Sequence, residues 1–251
     1  MKGSRIWAQA LLAASLIACW ACGRGRPYGN LSQAQGFQSI EKEFDEASRK
    51  LGKACIAAKT DADRSKLVMQ SPNGEKYSER ILELVKRNPK DPSAVEPLIW
   101  VITHAPQAAA GHQAMDLMER YHIGSSQLGR ICMSLAFARS EESERLLRSM
   151  LEKNPDREVQ GQACLSLGRL LREKTPAEAG RFLELTVEKY ADIKSGRATL
   201  GDDARAEMFE MRNLDIGKVA PEIEGQDVDG EAFRLTEQRS KVVVLDFWGD
   251  W

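Results

Sequence analysis

Apolar residues recur at helical spacing over most of this chain. Ile40, Phe44, Ala47, Leu51, Ala54 and Ala58 keep the rhythm of one helix face, and that helix is expected to stop near Thr60. Asp61 reads as the N-cap of a shorter helix running to about Gln70. Beyond it the pattern repeats. Four helix ends read Lys86-Arg87-Asn88-Pro89, Glu119-Arg120-Tyr121-His122, Glu152-Lys153-Asn154-Pro155 and Glu188-Lys189-Tyr190-Ala191. The steps from Asn88 to Tyr121, Tyr121 to Asn154 and Asn154 to Tyr190 are 33, 33 and 36 residues. Each end closes a charged amphipathic helix, such as the ones holding Ile81-Leu82 and Leu146-Leu147. A period near 34 is that of stacked helix–turn–helix units.

The alternate helices keep the same register. Cys164-x-x-Leu167-Gly168-x-x-Leu171 resembles the first helix of a tetratricopeptide repeat. Cys132-x-x-Leu135-Ala136 lies 32 residues earlier, and Ile99-x-x-Ile102-Thr103 lies 33 before that. Gly168 and Ala136 would let a paired helix come close. Asp91-Pro92 and Thr175-Pro176 each put proline at a first helical position, where its missing N–H costs nothing. Cys132 and Cys164 therefore stand where other repeats place a core hydrophobe, and free cysteine packs as one. Cys55, between Ala54 and Ile56 in the long helix, is read the same way.

At Leu214 the pattern changes. Gly217 and Pro221 break the helix, and Asp229-Gly230 between Val228 and Phe233 signals a hairpin. Thr236 to Arg239 is a short turn. The run Val242 to Phe247 is expected to be a strand buried on both faces. The other end of the chain also departs from the helical rule. Lys2 and Arg5 precede an apolar run, Ile6 to Ala18, too short to span a bilayer comfortably. Its end, Leu16-Ile17-Ala18-Cys19, resembles the bacterial lipobox. That resemblance implies a diacylated Cys19 anchored in a membrane and facing the periplasm. Cleavage after Ala21, leaving Cys22 first, and an uncleaved anchor are the alternatives. Residues 23–38, rich in Gly, Arg, Ser and Gln, read as a flexible tether.

Charge and composition narrow the function. With 36 basic and 37 acidic residues the net charge is −1, which gives no reason to expect nucleic acid as a partner. His104, His112 and His122 are spaced eight and ten apart, not at the four-residue step that faces two imidazoles together. No metal and no cofactor are expected. No phosphate loop or nucleophile elbow occurs. No C-x-x-C occurs among Cys55, Cys132 and Cys164.

The stretch from Leu214 resembles the opening of thioredoxin-like redoxins of the alkyl hydroperoxide reductase/thiol-specific antioxidant superfamily, closest to membrane-tethered thiol–disulfide oxidoreductases. The resemblance is carried by Gly217, Ala220, Pro221, Ile223, Asp227, Gly230, Phe233, Leu235, Lys241, Val242, Val243, Phe247, Trp248 and Trp251. Ser240 departs from it, because the family has glycine before the lysine, so a different turn or strain is expected there. The resemblance implies an apolar strand, then F-W-x-x-W-C-x-x-C, with the reactive thiolate at a helix N-terminus. Trp251 is the last residue given, so no catalytic residue is carried over. Phe247, Trp248 and Trp251 are expected as active-site scaffold.

The expected fold is mainly α: a tetratricopeptide-like helical repeat over 39–213, then an incomplete thioredoxin-like α/β domain over 214–251 with only its hairpin and first core strand. Residues 1–22 form the signal segment and 23–38 the linker. The functional expectation is a fragment of an exported oxidoreductase of disulfides or peroxides, with its dithiol beyond the chain given. The alternative is a protein-binding helical module with a vestigial redoxin tail. A protein partner on the repeat, and a membrane through the lipid anchor, are the expected contacts.

Overall fold

A computed structural model describes residues 32–246, which belong to one compact unit. Ten helices account for most of it. Helix α1 is Gln33–Ala57, α2 Asp61–Val68, α3 Gly74–Val85, α4 Val95–His104 and α5 Ala109–His122. Then come α6 Cys132–Ala138, α7 Glu141–Lys153, α8 Arg157–Leu171, α9 Pro176–Lys189 and α10 Leu200–Asn213. The fold is mainly α, with a small, incomplete α/β tail.

Side chains cap most of these helices. Ser32 and Gln35 form a reciprocal capping box at the start of α1. Thr60, Asn73, Ser140 and Asp156 accept from the first backbone amides of α2, α3, α7 and α8. The tether expected to reach residue 38 is corrected by the first of these caps: α1 begins at Gln33. Phe37 and Ile40 are already buried there, so the apolar stripe starts inside the supposed linker.

Helices α4, α6, α8 and α10 stack in one row, and α3, α5 and α7 in a second, each packed on its sequence neighbour. Ile99, Cys132 and Cys164 point into the core, at 3%, 3% and 0% exposure. Burial of each such apolar side chain contributes roughly 1.5–3 kcal/mol. Gly168 allows a close approach of α8 and α9: a Cβ there would lie 2.6 Å from Leu183 Cδ2 on α9. After the last step, between α9 and α10, a two-residue ribbon is inserted: β1 Lys194–Ser195 pairs with β2 Ala198–Thr199.

After α10 a second ribbon forms from β3 Glu224–Gln226 and β4 Ala232–Arg234, antiparallel, with Gly225 opposite Phe233. A 3₁₀ turn, Leu235–Gln238, follows. The expected strand from Val242 is not formed within the described residues: 242–246 pair with no strand, and Val242 and Val244 are 98% and 85% exposed. A strand is held by hydrogen bonds to neighbours, and the small ribbon pairs only with itself.

Candidate functional site

The tail geometry is set by two carboxylates. Asp227 accepts from the backbone amides of Asp229 and Glu231, both at 2.9 Å, and closes the β3–β4 loop. Gly230 sits in that loop at φ +82°, a conformation glycine adopts without cost. Glu222 accepts from the backbone N–H of Thr236 at 3.0 Å and also from its hydroxyl. The Thr236 hydroxyl, with the backbone amides of Thr236 and Ile223, holds the Glu222 carboxyl below the usual carboxylate range. Ser240, the departure from the redoxin pattern, has φ +72°. The chain thus keeps a glycine-type turn with a residue that carries a Cβ, so Ser240 is strained. Phe247, Trp248 and Trp251, expected as scaffold, and Cys19, expected as the lipid anchor, lie outside the described residues.

The three thiols inside the described residues are all free. Burial pushes the Cys132 thiol up to about 12. Burial also pushes Cys164 up, to about 11. A reactive cysteine needs the opposite, a thiolate favoured near neutrality. Cys164 donates instead to the Phe182 carbonyl at 3.2 Å, and Cys132 faces the Leu128 carbonyl at 3.7 Å. Both behave as packing groups in the helical core.

The row of α6, α8 and α10 carries a groove of about 270 Å³. Its apolar floor includes Met133 and Phe137, the latter 71% exposed. Its rim is locked into ion pairs: Arg139 with Glu173, Arg169 with Glu207, and Arg172 with Glu210. Arg172 also binds Asp215 at 3.0 Å, which ties the start of the tail to the end of α8 beside this groove.

The chain is 40% identical over 55 residues to a thiol-disulfide oxidoreductase, ResA, of Geobacillus thermodenitrificans (strain NG80-2). The match covers 22% of this chain and 32% of that protein, so the chain spans about a third of the relative's length. This likeness supports a relationship to thiol–disulfide oxidoreductases. The chain matches no family description, and no solved structure matches it.

The three histidines are engaged separately. His122, at the end of α5, is buried and bonded to the Pro89 carbonyl at 2.8 Å, 33 residues away. His104 stacks on Trp100 at 3.9 Å, and Phe44 meets both rings edge-on. His112 is half-buried in α5. Sequence reasoning missed the ladder of arginine–carboxylate pairs, although its spacing was visible. Arg130–Glu96 and Arg139–Glu173 are both 34 residues apart, and Arg157–Asp192 is 35 apart, each one repeat.

Proposed function

We propose that this chain is part of an exported thiol–disulfide oxidoreductase, in which a tetratricopeptide-like array precedes a thioredoxin-like redoxin domain. The observation that carries this reading is the 40% identity to the relative, joined to the redoxin-type opening that starts at Gly217. The glycine-type turn at Ser240 supports it, because the backbone there adopts the shape the family builds with glycine. The dithiol of such a domain would have to come from sequence outside these 251 residues: Cys55, Cys132 and Cys164 form no C-x-x-C, and Cys19-Trp20-Ala21-Cys22 ends the apolar leader segment, far from the redoxin-type opening. Reading the gene past codon 251 tests this. An in-frame Cys-x-x-Cys directly after Trp251 supports the proposal, and a stop codon there contradicts it.

The proposal includes export with a lipid on Cys19, supported by Lys2, Arg5 and the apolar run before the cysteine. Metabolic labelling with palmitate should mark the chain and should fail in Cys19→Ser. Among the described residues no helix is long and apolar enough to cross a membrane.

The second reading is a protein-binding array. The exposed Phe137 and Met133 in the α6–α8–α10 groove favour it. The two readings are compatible if the groove holds a polypeptide close to where the tail leaves the array at Asp215.

A further inference from the structure

Helices α1 and α2 form a hairpin unlike the rest of the array. Past Ile40 no residue of α1 is buried, and α2 buries none at all. Helix α2 packs chiefly against α1. The hairpin therefore stands largely in solvent, and its composition is one-sided. Between Arg49 and Met69 lie six cations, Arg49, Lys50, Lys53, Lys59, Arg64 and Lys66, against two carboxylates. The whole chain, by contrast, has a net charge of −1.

The pairing is just as uneven. Elsewhere the arginines are locked to carboxylates one repeat away, as Arg130 is to Glu96. In the hairpin both carboxylates are taken: Asp61 by Arg64 at 2.6 Å, and Asp63 by the Thr60 hydroxyl at 2.7 Å. Among the described residues, Arg49, Lys50, Lys53, Lys59 and Lys66 have no carboxylate partner, and all five are exposed. The last turn of α1 holds no cation, so the helix dipole accounts only for Lys66, in the last turn of α2. Large apolar side chains lie bare among these charges: Ile56 and Met69 are each 87% exposed, and Val68 57%.

We propose that the α1–α2 hairpin is a docking surface for an anionic lipid bilayer. Basic side chains are drawn to the headgroup potential of such a surface, and exposed aliphatic side chains enter the acyl boundary beneath it. A nucleic acid would use the cations and leave Ile56 and Met69 in water. A second copy of the hairpin would bring like charge against like. The acidic first half of α1, with Glu41, Glu43, Asp45 and Glu46, turns the opposite end of the helix away from the same surface.

The test is hydrogen exchange on the full chain, read by mass spectrometry with vesicles present. One set is pure phosphatidylcholine; the other contains about a third phosphatidylglycerol, to give the negative surface potential the proposal needs. The anionic set should slow exchange over residues 49–70 about threefold relative to the neutral set, and ~0.5 M salt should abolish the difference, because screening at that concentration acts within a few ångströms. The triple variant K53E/K59E/K66E should lose the protection, with helix content unchanged since all three side chains are exposed. The pair Ile56→Ser and Met69→Ser should lose most of it too. Unchanged exchange over 49–70 while the chain floats with anionic vesicles would overturn the proposal. Full protection in the Ile56→Ser, Met69→Ser variant, or equal protection by duplex DNA, would overturn it in favour of a general polyanion site. Because the readout is confined to 49–70, it is independent of any anchoring through residues 1–31.

Discussion

Asn154 donates its side-chain amide to the Ile123 carbonyl at 2.7 Å, across 31 residues. The same amide reaches the Ser125 carbonyl at 2.9 Å, while its oxygen accepts from the Asp156 amide. The side chain is 1% exposed. One polar residue at the end of α7 thus satisfies the backbone that enters and leaves two successive turns. His122 makes the corresponding bond one repeat earlier, to Pro89. These stitches fix the stacking of neighbouring units where apolar packing alone would leave it free to slide.

Asn154→Ala should therefore be costly. It removes the side-chain partner of the Ile123 carbonyl and of the Asp156 amide, while the Ser125 carbonyl keeps the Leu128 amide, and each unsatisfied group costs about 1–3 kcal/mol before relaxation. The expected loss is about 2–4 kcal/mol, seen as a lower urea midpoint with an unchanged slope. A loss below about 0.5 kcal/mol, the range of neutral surface changes, would show that water replaces the amide without penalty.

Gly168→Ala tests the close approach of α8 and α9. The added methyl meets Leu183 Cδ2 at 2.6 Å and Cγ at 2.7 Å, inside any real carbon contact. Overpacking of this kind costs about 1–3 kcal/mol. Leu183→Ala opens a cavity when made alone. Combined with Gly168→Ala it should be less damaging than the two losses added, a coupling that a double-mutant cycle reads directly.

Thiol burial gives a pH dependence on the alkaline side. The ordinary value for cysteine is 9.0, and burial holds Cys132 up to about 12 and Cys164 up to about 11 in the folded chain. The folded state keeps both protons where the unfolded chain has lost them. Stability from this source is intact below pH 9 and falls as pH rises through 9 toward 11–12. The Cys132→Ala, Cys164→Ala pair should show a shallower alkaline decline, measured by urea unfolding at pH 8, 9.5 and 10.5. An identical decline would mean that the thiols ionise freely and are not packed as described.

Ser240→Gly should relieve the turn before Lys241. A residue with a Cβ at φ +72° is strained by about 1 kcal/mol relative to glycine. The amide of Lys241, bonded to the Gln238 carbonyl at 3.2 Å, should then exchange with solvent a few-fold more slowly. Faster exchange would show that the added freedom of glycine outweighs the strain.

Much of the fold was legible because local and long-range signals agreed. The repeat register read from Asn88, Tyr121, Asn154 and Tyr190 marks the ends of α3, α5, α7 and α9 to within a few residues. Cys132 and Cys164 were readable as core because they occupied positions held elsewhere by Ile99. The start of α1 was missed although Ser32-x-x-Gln35 is a capping-box pattern, because the glycine-rich composition around it suggested a tether. The Val242 run was expected to be a buried strand and is not one among the described residues, because a strand also needs a partner edge, which no local pattern supplies. The arginine ladder stayed hidden for a related reason. A charge on a helix face looks solvated until the neighbouring repeat is placed beside it. For the candidate site, the sequence showed which residues resemble a redoxin opening, while the raised pKa values of Cys132 and Cys164 became plain only from their burial.

The central claim is that Cys132 and Cys164 are packing groups of the helical array, so the chemistry of the resembled oxidoreductases is not carried by them; Cys55, expected as core too, is only half-buried on α1. Insulin-disulfide reduction by the purified 251-residue chain tests it most directly. The account predicts turnover at background, unchanged in Cys132→Ser and in Cys164→Ser. Robust turnover that disappears in either variant would contradict it.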